Sequence, residues 1–153
     1  MLQSGIAMAG AQSTLAAWGG GKAPAPENDG ILTAEEVAAL DLGASWLVAL
    51  SACDTGVGEA RSGEGVFGLR RAFMMAGSQN LLMTLWPVLD QSTADFMADF
   101  YTRCLSSLDA PAAFAETQRL RLTKIRQEHS LGSAVRQAGP FVLATTGLIQ
   151  NPN

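Results

Sequence analysis

Two short runs in this chain, Leu47-Val48-Ala49-Leu50 and the stretch "NLLMTLW" at 80–86, are apolar with almost no polar alternation. A strand with one face in water alternates, so such runs belong to strands covered on both faces, as in a sheet sandwiched by helices. Between them, Val66, Leu69, Phe73 and Met74 recur at i, i+3, i+7 and i+8 along one helical face. Gly77 follows where a left-handed C-terminal cap is expected. Upstream, Thr33-Ala34-Glu35-Glu36 is a capping-box signature opening a short helix through Leu40. Downstream, Pro87 closes the second run and holds Trp86 extended. Asp90 or Ser92 then caps a helix with Phe96, Phe100 and Leu108 near one side. Asp109-Ala110-Pro111 opens another bearing Phe114, Gln118, Leu122 and Ile125, and "PFVLATTG" at 140–147 is a last strand. Strand, helix, strand, helix, helix, strand predicts an α/β fold: a largely parallel sheet flanked by helices, with the 46–52 strand central.

Composition narrows the functional classes. The chain has 153 residues, 48% hydrophobic and 16% charged, enough for one domain over 1–153 with a packed core. Ten basic residues against 14 acidic ones give a net charge of −4, with no stripe to neutralise phosphates, so no nucleic-acid partner is expected. Arg119, Arg121, Lys124 and Arg126 read as the solvated face of a helix. Two cysteines make no disulfide framework, which points to a reducing, cytoplasmic setting. The first residues have no basic flank, and Gly5 and Gly10 interrupt their apolar run, so neither a signal peptide nor a membrane span is expected. Residues 18–30, "WGGGKAPAPENDG", read as an exposed loop. Gly20-Gly21-Lys22 fails as a phosphate loop because Ala16 replaces the first glycine and Ala23 follows the lysine. No metal or cofactor is expected.

The candidate chemistry lies where the first apolar run stops: Ser51-Ala52-Cys53, then Asp54-Thr55-Gly56-Val57-Gly58-Glu59. In open parallel sheets, reactive groups gather at the carboxyl ends of strands. A thiol there is nucleophilic with modest activation, its own backbone N–H can face a developing oxyanion, and Gly56 and Gly58 admit a substrate backbone. Cys104, within "FYTRCLSSL", reads as a packing residue.

The segment Ser51 to Gly56, Gly63-Glu64-Gly65, Arg70-Arg71-Ala72-Phe73, Ala76-Gly77 and Leu85-Trp86, in that order, closely resembles the core of CHAT domains. These are caspase-like cysteine peptidases often joined to tetratricopeptide repeats. The flanks "SGIAMAGA", "DGILTAEEVAALDL" and "GPFVLATTG" fit the same pattern, and Asp54 stands where the family usually has Glu. The resemblance implies a caspase-like sheet lacking its N-terminal strands, with Cys53 as nucleophile. It implies that Asp54, Thr84, Leu85 and Trp86 line the groove for a peptide or protein substrate. Glu64 would orient the Cys53 loop or cap the following helix.

The family's base is a histidine followed by glycine, upstream of where this segment begins, and no matching residue is present. The single histidine, His129 in "RQEHSLGS", reads as a surface residue at a helix end. Unassisted, a thiol is only a few per cent thiolate at neutral pH. The expectation is a cysteine endopeptidase part that is inactive alone. Its base would come from an N-terminal CHAT segment, alongside a tetratricopeptide-repeat region, in a bacterial signalling or defence system. The alternative is a non-catalytic pseudo-peptidase that serves as an interaction module.

Overall fold

The computed structural model of the chain describes residues 4–21, 29–50, 64–86, 88 and 90–147, with the backbone alone at 64–66 and 90. They group into two compact units, one from 1–44 and 54–77, the other from 45–53 and 78–153. Among the described residues no helix is long and apolar enough to cross a membrane.

In the first unit, β1 (Gly5–Ala7) pairs antiparallel with β2 (Ile31–Thr33). Helix α1 (Ala11–Gly19) lies between them in sequence, so the predicted loop at 18–30 begins inside a helix; residues 22–28 lie outside those described. The capping box forms at the head of α2 (Ala34–Ala38). The Thr33 N–H donates to Glu36 Oε2 at 2.8 Å, and the Glu36 N–H donates to Thr33 Oγ1 at 3.2 Å. The bonds from the Thr33 backbone and hydroxyl lower the Glu36 pKa, because they favour its charged form. Helix α3 (Glu64–Met75) lies against α2 and buries Leu69, Ala72 and Phe73. Gly77 ends it at φ 100°, and a Cβ there would come within 3.0 Å of the Gly43 nitrogen, so both conformation and space require glycine.

The second unit holds β3 (Leu47–Leu50), β4 (Asn80–Thr84) and β5 (Phe141–Thr145) in the order β3-β4-β5. The β3–β4 pair is parallel, with Leu50 opposite Met83; the β4–β5 pair is antiparallel, with Thr84 opposite Phe141. The fold is α/β as expected, but two details differ. Among the described residues the sheet has one parallel and one antiparallel pair, and β3 lies at its edge rather than its centre. The antiparallel return has a simple cause. After β4 come α4 (Asp90–Ser107) and α5 (Ala110–Glu128), which lie side by side, then the short α6 (Leu131–Ala138). Two long helices carry the chain away and back, so it re-enters the sheet beside the carboxyl end of β4 and runs the opposite way.

The core of this unit is aromatic. Phe96, Phe100 and Phe141 are buried with Leu82 and Cys104, and the Phe96 and Phe141 rings stack with centroids 3.8 Å apart. Phe114 packs edge-on to both Phe96 and Phe100. Leu108, expected on the apolar side of its helix, is instead 75% exposed just beyond α4, at φ 53°. Its N–H donates to the Cys104 carbonyl at 2.8 Å, closing the helix in the left-handed conformation usually given to glycine. That conformation costs a non-glycine residue about 1–2 kcal/mol. Leu108→Gly is therefore expected to stabilise this unit by up to about 1 kcal/mol after glycine's extra unfolded-state entropy is subtracted. Urea denaturation followed by circular dichroism checks this; a variant that loses stability contradicts it.

Candidate functional site

Parallel pairing sets the carboxyl ends of β3 and β4 side by side, and the expected site residues divide between what lies at those ends and what lies beyond. Cys53, Asp54, Gly56 and Gly58 fall outside the described residues. Glu64 is the first residue of α3; its side chain is likewise outside them. Thr84, Leu85 and Trp86 are described, and they form the far lip of the β4 end.

Thr84 is the last residue of β4 and only 6% exposed, and its Oγ1 has no hydrogen-bond partner among the described residues. A hydroxyl buried in this way is costly unless something meets it. The Leu85 N–H donates to the Pro140 carbonyl at 3.0 Å, extending the pairing toward β5 by one residue. Backbone polar groups alternate sides along an extended strand. Those of Thr84, the last strand residue, therefore turn toward the side on which β3 lies, and the chain bends at Leu85 and Trp86.

Trp86 is 39% exposed. Its Cζ2 lies 3.5 Å from the point a Cβ on Gly139 would occupy, so the indole rests on the last turn of α6. That same Cβ would collide with the Val135 carbonyl oxygen, so glycine is needed here. Asn80, at the opposite end of β4, donates from its amide to the Trp46 carbonyl at 2.9 Å and ties the entry of β3 to β4.

His129 sits at the C-cap of α5, exposed, its N–H donating to the Ile125 carbonyl at 2.7 Å. It borders a cleft of about 210 Å³ between α4, α5 and α6, with Asp95, Asp99, Arg121, Lys124 and Gln137. Arg121 departs from the expected solvated face. Its side chain is 14% exposed, reaching Asp99 Oδ2 and the Ser92 carbonyl, each at 3.4 Å. Arg119 does lie in solvent, paired with Glu116. Cys104 is 2% exposed within the aromatic core; burial, and secondarily the nearby Asp109 charge, raises its thiol pKa and disfavours the thiolate.

Gly139 was not foreseen beside Trp86. The signal was present in "HSLGSAVRQAGP": Ser130 caps α6 by accepting from the Ser133 N–H at 3.3 Å, and Gly139-Pro140 stops it. What no periodicity could supply was the tryptophan, which arrives from a strand more than forty positions earlier.

The model of the CHAT domain family matches residues 1–141. Tetratricopeptide repeat protein 28 of Homo sapiens is 30% identical to this chain, in a match covering 83% of the chain and 6% of that protein. The Mus musculus protein of the same name matches at 30%, over the same shares. The chain thus spans about 6% of the length of the curated relatives it matches.

Proposed function

This chain belongs to the CHAT domain family, and we propose that it is the cysteine-bearing part of a caspase-like endopeptidase, with Cys53 as nucleophile and a histidine from outside this chain as base. The observation that carries the reading is the parallel alignment of the β3 and β4 carboxyl ends. Cys53 follows Leu50 by three residues, so chain reach alone keeps its Cα within about 11 Å of Leu50's. The partner strand end presents Thr84, Leu85 and Trp86, the residues assigned to the substrate groove.

In the proposed reaction the imidazole takes the Cys53 proton and Sγ attacks the scissile carbonyl carbon. The resulting oxyanion is met by backbone N–H groups at the loop. The imidazolium gives its proton to the amine as the C–N bond breaks, leaving a thioester. Water, deprotonated by the same imidazole, then attacks the thioester and releases the acid and the thiol. Asp54 contributes to the groove, and Glu64 orients the loop or caps α3 with its carboxylate near the positive end of the helix dipole. The tetratricopeptide-repeat relatives support a repeat region in the parent protein.

A single histidine, located at the C-cap of α5, favours a second reading, a pseudo-peptidase that binds without cutting. The two separate on one experiment. This chain is assayed against a broad peptide library, alone and with the histidine-bearing upstream segment of its parent protein, fused or in trans. The peptidase reading expects background hydrolysis alone and clear hydrolysis with the segment. An inert reconstituted protein favours the pseudo-peptidase.

A further inference from the structure

The cleft of about 210 Å³ between α4, α5 and α6 lies wholly within the second unit, and none of Thr84, Leu85 and Trp86 lines it. Two of its walls carry opposite charge. Asp95 and Asp99 stand one turn apart on α4, and Arg121 and Lys124 stand one turn apart on α5. These walls neutralise each other only in part. The Arg121 side chain is 14% exposed, yet it meets Asp99 Oδ2 and the Ser92 carbonyl at 3.4 Å each, beyond the usual N–H···O range. Its Nε is buried with no hydrogen-bond partner among the described residues. A guanidinium offers five donors, and a charge so withdrawn from water is costly without close partners. Lys124 makes no ion pair among the described residues, and neither does Asp95, which accepts from the Gln91 amide at 2.7 Å.

We propose that this cleft binds a free α-amino acid with an aliphatic side chain, its carboxylate on Arg121 and Lys124 and its ammonium on Asp95 and Asp99. Charge and space together select this occupant. With Glu128 also in the lining, a plain anion such as phosphate faces more carboxylates than cations, and a plain cation lies against Arg121. A zwitterion meets both walls. The planar fork of Arg121 matches a carboxylate in a bidentate pair, shorter and stronger than its present long contacts. At about 30 Å³ per water, the cleft holds the equivalent of about seven waters. That is less than the roughly 300 Å³ or more of sites for drug-sized ligands, and it suits one amino acid rather than a peptide. Leu120 and buried Ile125 add apolar surface for the aliphatic side chain. The bound amino acid links α4 to α5 and stabilises the second unit by mass action. The site stands apart from the peptidase reading and needs neither Cys53 nor an external base.

The test is isothermal titration calorimetry of the full chain with l-valine and l-leucine, with no peptide substrate present. N-acetyl-l-valine, which lacks the ammonium, l-valinamide, which lacks the carboxylate, and inorganic phosphate are titrated beside them. Saturable binding of l-valine or l-leucine is expected, with both valine derivatives at least about tenfold weaker because each leaves one charged wall unmatched. Phosphate is expected to give no saturable heat. Asp95→Asn and Lys124→Gln, both at exposed positions, are each expected to weaken amino-acid binding about tenfold, with the circular dichroism spectrum unchanged. Arg121→Gln is expected to abolish it. Arg119→Gln, on α5 but off the cleft, is expected to leave it unchanged. No saturable binding of either amino acid, derivatives that bind as tightly as l-valine, or saturable phosphate binding overturns the proposal. So does amino-acid binding that is unchanged in both Asp95→Asn and Lys124→Gln.

Discussion

Cys53→Ala is expected to lower peptide hydrolysis by the reconstituted enzyme about 10⁴-fold or more, to the background of the uncatalysed reaction. The size follows from the role. A residue that forms the covalent intermediate cannot be replaced by better positioning elsewhere, because alanine has no lone pair to offer the carbonyl carbon. Two controls make the result specific. Cys104→Ala removes the other thiol, which lies 2% exposed in the aromatic core, and is expected to change kcat/KM by less than about threefold while costing some stability. His129→Ala removes the chain's own imidazole from the exposed end of α5 and is expected to leave the rate unchanged. Loss of activity in His129→Ala with the fold preserved shows that the base belongs to this chain after all.

The second large effect is on stability. Phe96 is fully buried, its ring stacked on Phe141 of β5 and edge-on to Phe114 of α5, so it joins α4 to both other parts of the core. Phe96→Ala leaves a void where an aromatic ring was, and losses of about 3–5 kcal/mol are usual for such changes. Set against a typical total stability of about 5–15 kcal/mol, this brings the second unit close to unfolding at 37 °C. Urea denaturation by far-ultraviolet circular dichroism is expected to show a lowered midpoint with an unchanged slope. Phe96→Leu is expected to recover more than half of the loss, because it restores most of the volume. A Phe96→Ala variant within about 1 kcal/mol of the parent contradicts this account of the core.

The sequence made the elements of the core legible because each is fixed by local chemistry. Thr33 and Glu36 form their reciprocal cap as the spacing required, and Gly77 takes the left-handed turn expected of it. Asp109 caps α5 by accepting from the Ala112 N–H, with Pro111 in the first turn. What was not legible depended on where chain segments meet. Nothing in residues 140–147 says whether they run with β4 or against it; the pair of long helices before them decides that. Leu108 follows the apolar period of α4, but the helix ends one residue earlier, so the period no longer places its side chain. Arg121 shares a charged stretch with exposed Arg119, yet it reaches α4 because Asp99 and the Ser92 carbonyl lie opposite it. The strands β1 and β2 have three residues each, too short for a period-two pattern to emerge. For the site, the motif order pointed to Cys53 and to Thr84, Leu85 and Trp86, while the contact of Trp86 with Gly139 at the end of α6 is a tertiary feature.

The central claim, that Cys53 becomes a nucleophile only when an external imidazole reaches it, is tested most directly by the pH dependence of its alkylation. The measurement follows iodoacetamide modification of Cys53 by mass spectrometry across pH 5–10, with buried Cys104 as the slow internal reference, in this chain alone and with the upstream segment added. The account predicts the profile of an ordinary free thiol for the chain alone. With the segment, the profile shifts to lower pH and the reaction near neutral pH is faster, and mutating the segment's histidine reverses both changes. An identical profile with and without the segment, or a profile already shifted in the chain alone, contradicts it.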